Sequence, residues 1–360
     1  MERFACETVI ISGEGALDAL KEHAGKRLLL VTDRMHVSEG MTGRIRGMLK
    51  PEAAQCLDTV APEPTLAQAV EGANRIKAFG PELVVALGGT HVMDCAKAMV
   101  GFSRRTCCLI MIPTEAASGT EVTDRAVLTH DGRRHCFRNS GMRPDLAVLD
   151  SGFLSGCSPG SVAEGGFTIL ANSLQAYVGK HTGVLTSLHA REAFSGCWGA
   201  LPAAFAGNAA ARGRLQMAAA MAGIAYDRAG LGLCRAMEDS LGVLFHLSRG
   251  KLAGILLPAV IGCNAHAAGR RLAELSRTAG LGGSSDAAGV RNLKTGLIRL
   301  RRELGLPPTL AQAGVNPRRV WSNVGRIVEL TLENPECRNN PVTADDFLVR
   351  RILEEVTGHY

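Results

Sequence analysis

The 360 residues include 40 Lys and Arg against 34 Asp and Glu, a formal charge of +6, and are 46% hydrophobic and 4% aromatic. Such a chain buries cores for two domains of ordinary size and is not intrinsically disordered. Its basic excess is small and spread out, without the aromatic-interleaved patch of a nucleic-acid surface, so no nucleic-acid partner is expected.

Eleven cysteines are scattered along the chain, including the adjacent pair Cys107 and Cys108, and none is spaced as CxxC. Buried, reduced thiols are the expectation. The first residues lack a basic stretch followed by an apolar segment, and no window approaches an uninterrupted membrane-spanning run. A cytoplasmic location without membrane contact is expected.

From Arg27 to Asp150 short apolar runs alternate with helical patterns: Leu28 to Val31, Leu83 to Leu87, Cys107 to Ile112 and Leu146 to Leu149. Continuously apolar runs of this length suit strands of a parallel sheet covered on both faces. His130-Asp131-Gly132 between Ala126–Thr129 and His135–Phe137 marks a β-hairpin turn. Beyond Asp150 strand signals cease, and Ala163 to Tyr177, Ala190 to Ala206 and Arg212 to Tyr226 show helical periodicity. The turn-forming stretch Ser155 to Gly160 predicts a boundary, dividing an α/β Rossmann-like nucleotide-binding domain (1–155) from an all-helical domain (156–360).

In an open parallel sheet, ligands gather beyond the carboxyl ends of the strands. Asp33 ends one strand and either accepts hydrogen bonds from a ribose or caps a helix. Gly88 and Gly89 lead from a strand into a helix, as in a pyrophosphate cradle or a plain turn. The hydroxyl-rich loop from Thr114 through Glu115 and Ser118 either lines a nucleotide or simply turns the chain.

These pieces, in this order, are similar to the iron-containing (group III) alcohol dehydrogenases. The likeness runs through Ser12-Gly13-Glu14-Gly15, Val31-Thr32-Asp33, Glu63-Pro64-Thr65, Gly88-Gly89 with Asp94 and Lys97, Ile112-Pro113-Thr114, Gly119-Thr120-Glu121 and Pro144-Asp145-Leu146. It continues at Gln175-Ala176-Tyr177, Gly230-Leu231-Gly232-Leu233, Ile255-Leu256-Leu257-Pro258 and Asn264. The resemblance implies an N-terminal dinucleotide domain and a helical metal-binding domain of the iron-type alcohol dehydrogenase and dehydroquinate synthase kind. It also implies self-association as a homo-oligomer.

The family holds a divalent metal with an Asp, a His one turn later and two further His residues. The resemblance puts Thr168, Asn172, Arg235 and Arg249 at those four positions, and Asp239 where the family has an additional His. Arginine stays protonated and offers no lone pair. Iron or zinc is therefore expected to be absent. Two arginines with Asp239 carry the same net charge as a divalent cation with one Asp, and Arg235 with Asp239 suits an i, i+4 ion pair. Arg249 and Arg235 then either bind a small anion or glue an abandoned metal cavity. His246, three residues before Arg249, is the remaining histidine of this stretch, expected as a buried core residue.

The nucleotide site is also altered. Thr90 and His91 stand where the family has Gly and Ser, so Thr90 weakens binding if its backbone needs a positive φ, while His91 offers a compensating charge. Glu115 adds a carboxylate that repels phosphate. The cofactor-binding candidates are thus Asp33, Gly88, Gly89, Thr90, His91, Asp94, Thr114, Glu115 and Ser118. NAD is the possible cofactor, favoured over NADP by Asp33. The functional expectation is a homologue without its metal, non-catalytic or repurposed, acting by assembly, with itself or with an active paralogous dehydrogenase, or by binding a small anion. The alternative is a metal-independent or residual NAD-dependent oxidoreductase using Arg235, Asp239, His246 and Arg249.

Overall fold

The computed structural model describes residues 4–38, 40–104 and 106–358. They divide into two compact units, Ala5–Cys157 and 158–358, the latter joined by Phe4.

The first unit is built on a parallel sheet in the order β1-β8-β5-β4-β2-β3. Its strands are β1 (Val9–Ser12), β2 (Leu28–Val31), β3 (Ala54–Leu57), β4 (Leu83–Gly88), β5 (Cys108–Pro113) and β8 (Leu146–Leu149). Between β5 and β8 the hairpin of β6 (Arg125–His130) and β7 (Arg133–Arg138) turns through Asp131 and Gly132, both at positive φ. Helices α1 (Arg34–Ser38), α2 (Met41–Leu49), α3 (Leu66–Phe79) and α4 (Thr90–Ser103) connect the strands.

The unbroken apolar runs have a direct cause. Leu28, Leu30, Leu83, Val85, Leu87, Ile110 and Ile112 pack on one face, with Ile45 and Leu49 of α2. Leu29, Val31, Val84, Ala86, Leu109 and Met111 pack on the other, with Ile76 of α3 and Val92 and Ala96 of α4. Each fully buried Leu, Ile, Val or Met among them contributes about 1.5–3 kcal/mol. Strands β1 and β3 escaped the sequence reading because they are four-residue edge strands, half-exposed and without an apolar run.

The second unit contains α5 (Pro159–Val178), α6 (Val184–Phe205), α7 (Ala209–Ala229), α8 (Leu233–Phe245), α9 (Arg249–Thr278), α10 (Asp286–Glu303), α11 (Pro317–Ser322), α12 (Val324–Glu333) and α13 (Asp346–Thr357). Helix α5 is buried almost all round, as its continuous run of apolar and small residues requires. Helix α9 is long and apolar enough to cross a membrane by composition, yet 67% of that stretch is buried inside the fold. It starts hard against α5: a Cβ at Gly250 would fall 2.2 Å from the Glu164 carbonyl oxygen, so glycine is what permits the approach.

The cysteines correct one expectation. All eleven are free, but Cys6, Cys56 and Cys136 are exposed, while Cys95, Cys197, Cys234 and Cys337 are buried. The exposed three lie in the N-terminal segment and in β3 and β7, short or outlying elements with little covering structure.

Candidate functional site

In the first unit the chain reverses its direction of travel across the sheet between β2 and β4, the place where open α/β sheets bind ligands. Asp33 follows β2 there. Its Oδ1 accepts the His36 amide at 3.2 Å and lies 2.7 Å from His36 Nδ1, and its Oδ2 lies 3.4 Å from His91 Nε2. Partial burial opposes the charge, but hydrogen bonds from His36 and the fields of His36 and His91 outweigh it and hold the Asp33 carboxyl below its ordinary value. Both oxygens of the ribose-acceptor candidate are thus engaged by the chain itself, and the helix-capping alternative applies as well.

Helix α4 opens on the Gly88-Gly89 turn. Thr90 is its first helical residue and is absent from the positive-φ positions. The concern over its φ is therefore removed: any residue with a Cβ fits the backbone here. What fills the space is Glu115, whose Oε1 accepts the Thr90 amide at 2.8 Å and the Thr90 hydroxyl at 3.0 Å, with Ser118 Oγ 2.8 Å from that hydroxyl. A Cβ at Gly89 would sit 2.9 Å from the same carboxylate oxygen, so glycine admits the side chain. A pyrophosphate seeking these donors would meet a carboxylate already on them. His91 Nε2 lies toward Asp33 rather than this helix end. Thr114 donates its amide to the Gly88 carbonyl at 3.1 Å, tying the loop to the turn.

Asp94 has a different position from the other cofactor candidates. It is 4% exposed and accepts the Thr120 hydroxyl at 2.5 Å and the Val127 amide at 3.2 Å, with Lys97 Nζ at 3.2 Å. Lys97 is fully buried and also donates to the Thr120 carbonyl and to Thr123 Oγ1. This network anchors the loop that carries Glu115 and Ser118. Beside it, burial pushes the Glu121 carboxyl up to about 7, only partly offset by its own amide and Lys97.

In the second unit Thr168 and Asn172 lie one turn apart on α5, both buried. The Thr168 hydroxyl donates back to the Glu164 carbonyl at 3.0 Å, the usual habit of a helical threonine. On α8, Arg235 Nε donates to Asp239 Oδ2 at 3.0 Å. From the first turn of α9, Arg249 Nη2 approaches Asp239 Oδ1 at 3.5 Å. One carboxylate therefore holds two guanidinium groups from different helices, and Asn334 Nδ2 adds a bond at 3.3 Å. Burial works against the Arg235 charge, but Asp239 and Glu238 more than compensate and raise its pKa. The Arg235 amide is held in turn by Gln175 of α5 at 3.0 Å.

The sequence reading missed Glu238, which is 1% exposed and accepts the Cys234 thiol at 3.4 Å. Burial drives its carboxyl up to about 7 despite the neighbouring Arg235. The simple equality of charge with a metal–Asp pair therefore holds only while Glu238 is protonated. His36 was also missed, although the Asp33–His36 spacing of three was a visible capping signal, and Gln175 was read only as part of the family likeness, without a role.

His246 is corrected outright. It ends α8 in the left-handed conformation (φ 55°, ψ 37°), donates its amide to the Gly242 carbonyl and is exposed. The chain needs a residue to terminate α8 before Ser248 caps α9, which takes His246 to the surface. Among the described residues no three His, Cys, Asp or Glu side chains converge as a metal-binding group. At the positions assigned by resemblance, Thr168 and Asn172 offer neutral oxygen or amide groups, and Arg235 and Arg249 offer only donors. These side chains do not fit a divalent cation.

Comparison with known proteins follows the same two-unit division. The profile for iron-containing alcohol dehydrogenase matches residues 7–151, and the profile for the C-terminal part of the Fe-containing alcohol dehydrogenase family matches 162–357. The 1-propanol dehydrogenase PduQ of Salmonella typhimurium is 30% identical over 372 residues, covering 99% of this chain and 100% of its own. The iron-containing alcohol dehydrogenase of Thermococcus thioreducens superposes with a TM-score of 0.90 at 27% identity, over 98% of this chain and 99% of its own. The sulfoacetaldehyde reductase of Bifidobacterium kashiwanohense, solved in complex with NAD+, shares the fold with a TM-score of 0.87 at 21% identity, over 98% of each chain.

Proposed function

The chain belongs to the iron-containing alcohol dehydrogenase family, and we propose that it is a member without a resident metal, a non-catalytic or repurposed homologue. Its work is assembly, with copies of itself or with an active dehydrogenase relative, or the binding of a small anion. The observation that carries this reading is the Arg235–Asp239–Arg249 cluster, an ion triad at positions where the family has ligands and their neighbour. A pair of cations bound to one carboxylate repels a divalent cation and supplies it no lone pair.

The dinucleotide face supports the same reading. Glu115 stands on the α4 N-terminus and Asp33 is shared between His36 and His91, so two anchors of a bound NAD are already satisfied internally. Losses at both sites together suit a protein released from redox chemistry.

Protein purified without tag histidines tests this by elemental analysis for iron and zinc, NADH titration by fluorescence and calorimetry, and propanal reduction, the reverse of the chemistry named for PduQ. Sub-stoichiometric metal, no NADH binding and no turnover are expected. Stoichiometric metal with tight NADH overturns the proposal and restores an ordinary dehydrogenase.

A second reading rests on Glu238. A buried carboxyl that titrates near neutrality beside two arginines has the makings of a proton donor next to an oxyanion site, as a metal-independent oxidoreductase requires. NADH binding and turnover in metal-free protein would favour it.

A further inference from the structure

The helical unit contains a cavity of about 590 Å³ at the end of α10. It is lined by Lys251 of α9, by Ile298, Arg301 and Arg302 of α10, and by Leu306 and Pro307 just beyond. Its size is that of a small-molecule site, and its walls join apolar side chains to three cations.

The charge here is unbalanced. Lys251 has Glu164 at 3.5 Å. Arg301 is only 9% exposed, yet among the described residues no carboxylate lies within 4.0 Å of its guanidinium. Buried guanidinium groups ordinarily have a carboxylate or another anion beside them, because desolvation of the charge is otherwise uncompensated. That desolvation pulls the Arg301 pKa below its ordinary value.

One of its donors has a structural task. Pro258 has no N–H, so the Gly254 carbonyl one turn earlier on α9 loses its helical partner, and Arg301 Nη1 donates to it at 3.0 Å. That bond uses one of the guanidinium's five N–H donors and leaves its charge uncompensated. The macrodipole favours cations in the last turn of α10, but Arg301 reaches across to α9 instead of to its own helix end. Neither role accounts for a full positive charge in an apolar-walled cavity.

We propose that this cavity binds a small organic anion, a carboxylate or phosphate monoester bearing an apolar group. The anionic end pairs with Arg301, flanked by Lys251 and Arg302, and the apolar group lies against Ile298, Leu306 and Pro307. The assignment is independent of whether the protein holds a metal.

Octanoate, hexyl phosphate, inorganic phosphate and 1-octanol are titrated into the full chain by calorimetry at constant ionic strength, with melting temperature followed in parallel. Octanoate or hexyl phosphate binds and raises the melting temperature, and the tighter of the two identifies the head group. Inorganic phosphate lacks the apolar group and 1-octanol the charge, so each binds about tenfold or more weakly than the better probe. Arg301→Met, which keeps the apolar stem, weakens the better probe by about tenfold or more. Because that variant leaves the Gly254 carbonyl without its donor, Ile298→Asp at the half-exposed rim is a second test, placing a repelling charge beside the probe. Absence of binding by both amphiphilic anions, or unchanged affinity in the folded variants, overturns the proposal.

Discussion

Glu115 holds the first turn of α4 from outside the helix: its Oε1 lies 2.8 Å from the Thr90 amide and 3.0 Å from the Thr90 hydroxyl. A carboxylate there answers the same free N–H groups and the same dipole that favour a phosphate oxygen. Being tethered, it competes with any diffusing anion at a high effective concentration.

Replacing Glu115 with threonine removes that competitor and leaves the α4 N–H groups exposed. NADH binding, absent from the unmodified protein, is expected to become measurable by fluorescence titration in Glu115→Thr, and to be about tenfold or more weaker in Glu115→Gln, whose neutral amide oxygen still caps Thr90. Equal NADH affinity in all three proteins would remove Glu115 as the obstacle.

Asp239 is the counterpart in the helical unit. Arg235, Asp239 and Arg249 are mostly buried, with side chains 9%, 11% and 18% exposed respectively. Asp239→Asn leaves two guanidinium groups facing each other without their shared charge, and breaking a buried pair in this way costs about 3–5 kcal/mol. Urea unfolding measures the loss, and adding Arg249→Met to the same chain recovers part of it by removing one repelling cation. A change under about 1 kcal/mol in Asp239→Asn, the range of exposed pairs, would mean that the triad is no lock.

Local spacing made some of this legible in the sequence. Arg235 and Asp239 are four residues apart, so a helix alone brings them together, and Leu28 to Val31 sit between two covered faces, so their apolar run is unbroken. Glu115 and Thr90 are 25 residues apart, and their bond depends on the path of a loop pinned by Asp94 and Lys97. No periodicity encodes that path. Glu238 reads in the sequence as an ordinary helical glutamate; only the packing of α8 takes its carboxyl out of water. His246 failed the opposite way, because backbone handedness at a helix end decided its exposure.

Glu121 and Glu238 give the protein a pH dependence of definite sign. Each has a folded pKa of about 7 against an ordinary value of 4.5. As pH rises through that window the unfolded chain releases these protons first, so the folded state binds more of them and stability falls, levelling off above about pH 7. Each group contributes at most about 3 kcal/mol to the fall. Glu238→Gln removes one contribution. Its urea midpoint is expected to match the unmodified protein near about pH 5 and to exceed it near about pH 8. Parallel curves at both pH values would show that Glu238 is already ionised in the fold.

The last prediction reverses the loss of ligands. Thr168 and Asn172 lie one turn apart on buried α5, while Arg235 on α8 and Arg249 on α9 both reach Asp239. Thr168→Asp, Asn172→His, Arg235→His and Arg249→His together replace two fixed cations and two neutral groups with four metal-binding side chains. Asp239, freed of both arginines, adds negative charge nearby. The quadruple variant is expected to retain about one zinc per chain after dialysis, where the unmodified protein retains none, and to melt at a temperature that rises with zinc concentration as mass action requires. Zinc-independent melting in a folded variant would mean that these four positions do not converge on one ion, and with that the assignment of the ancestral ligands to them would fall.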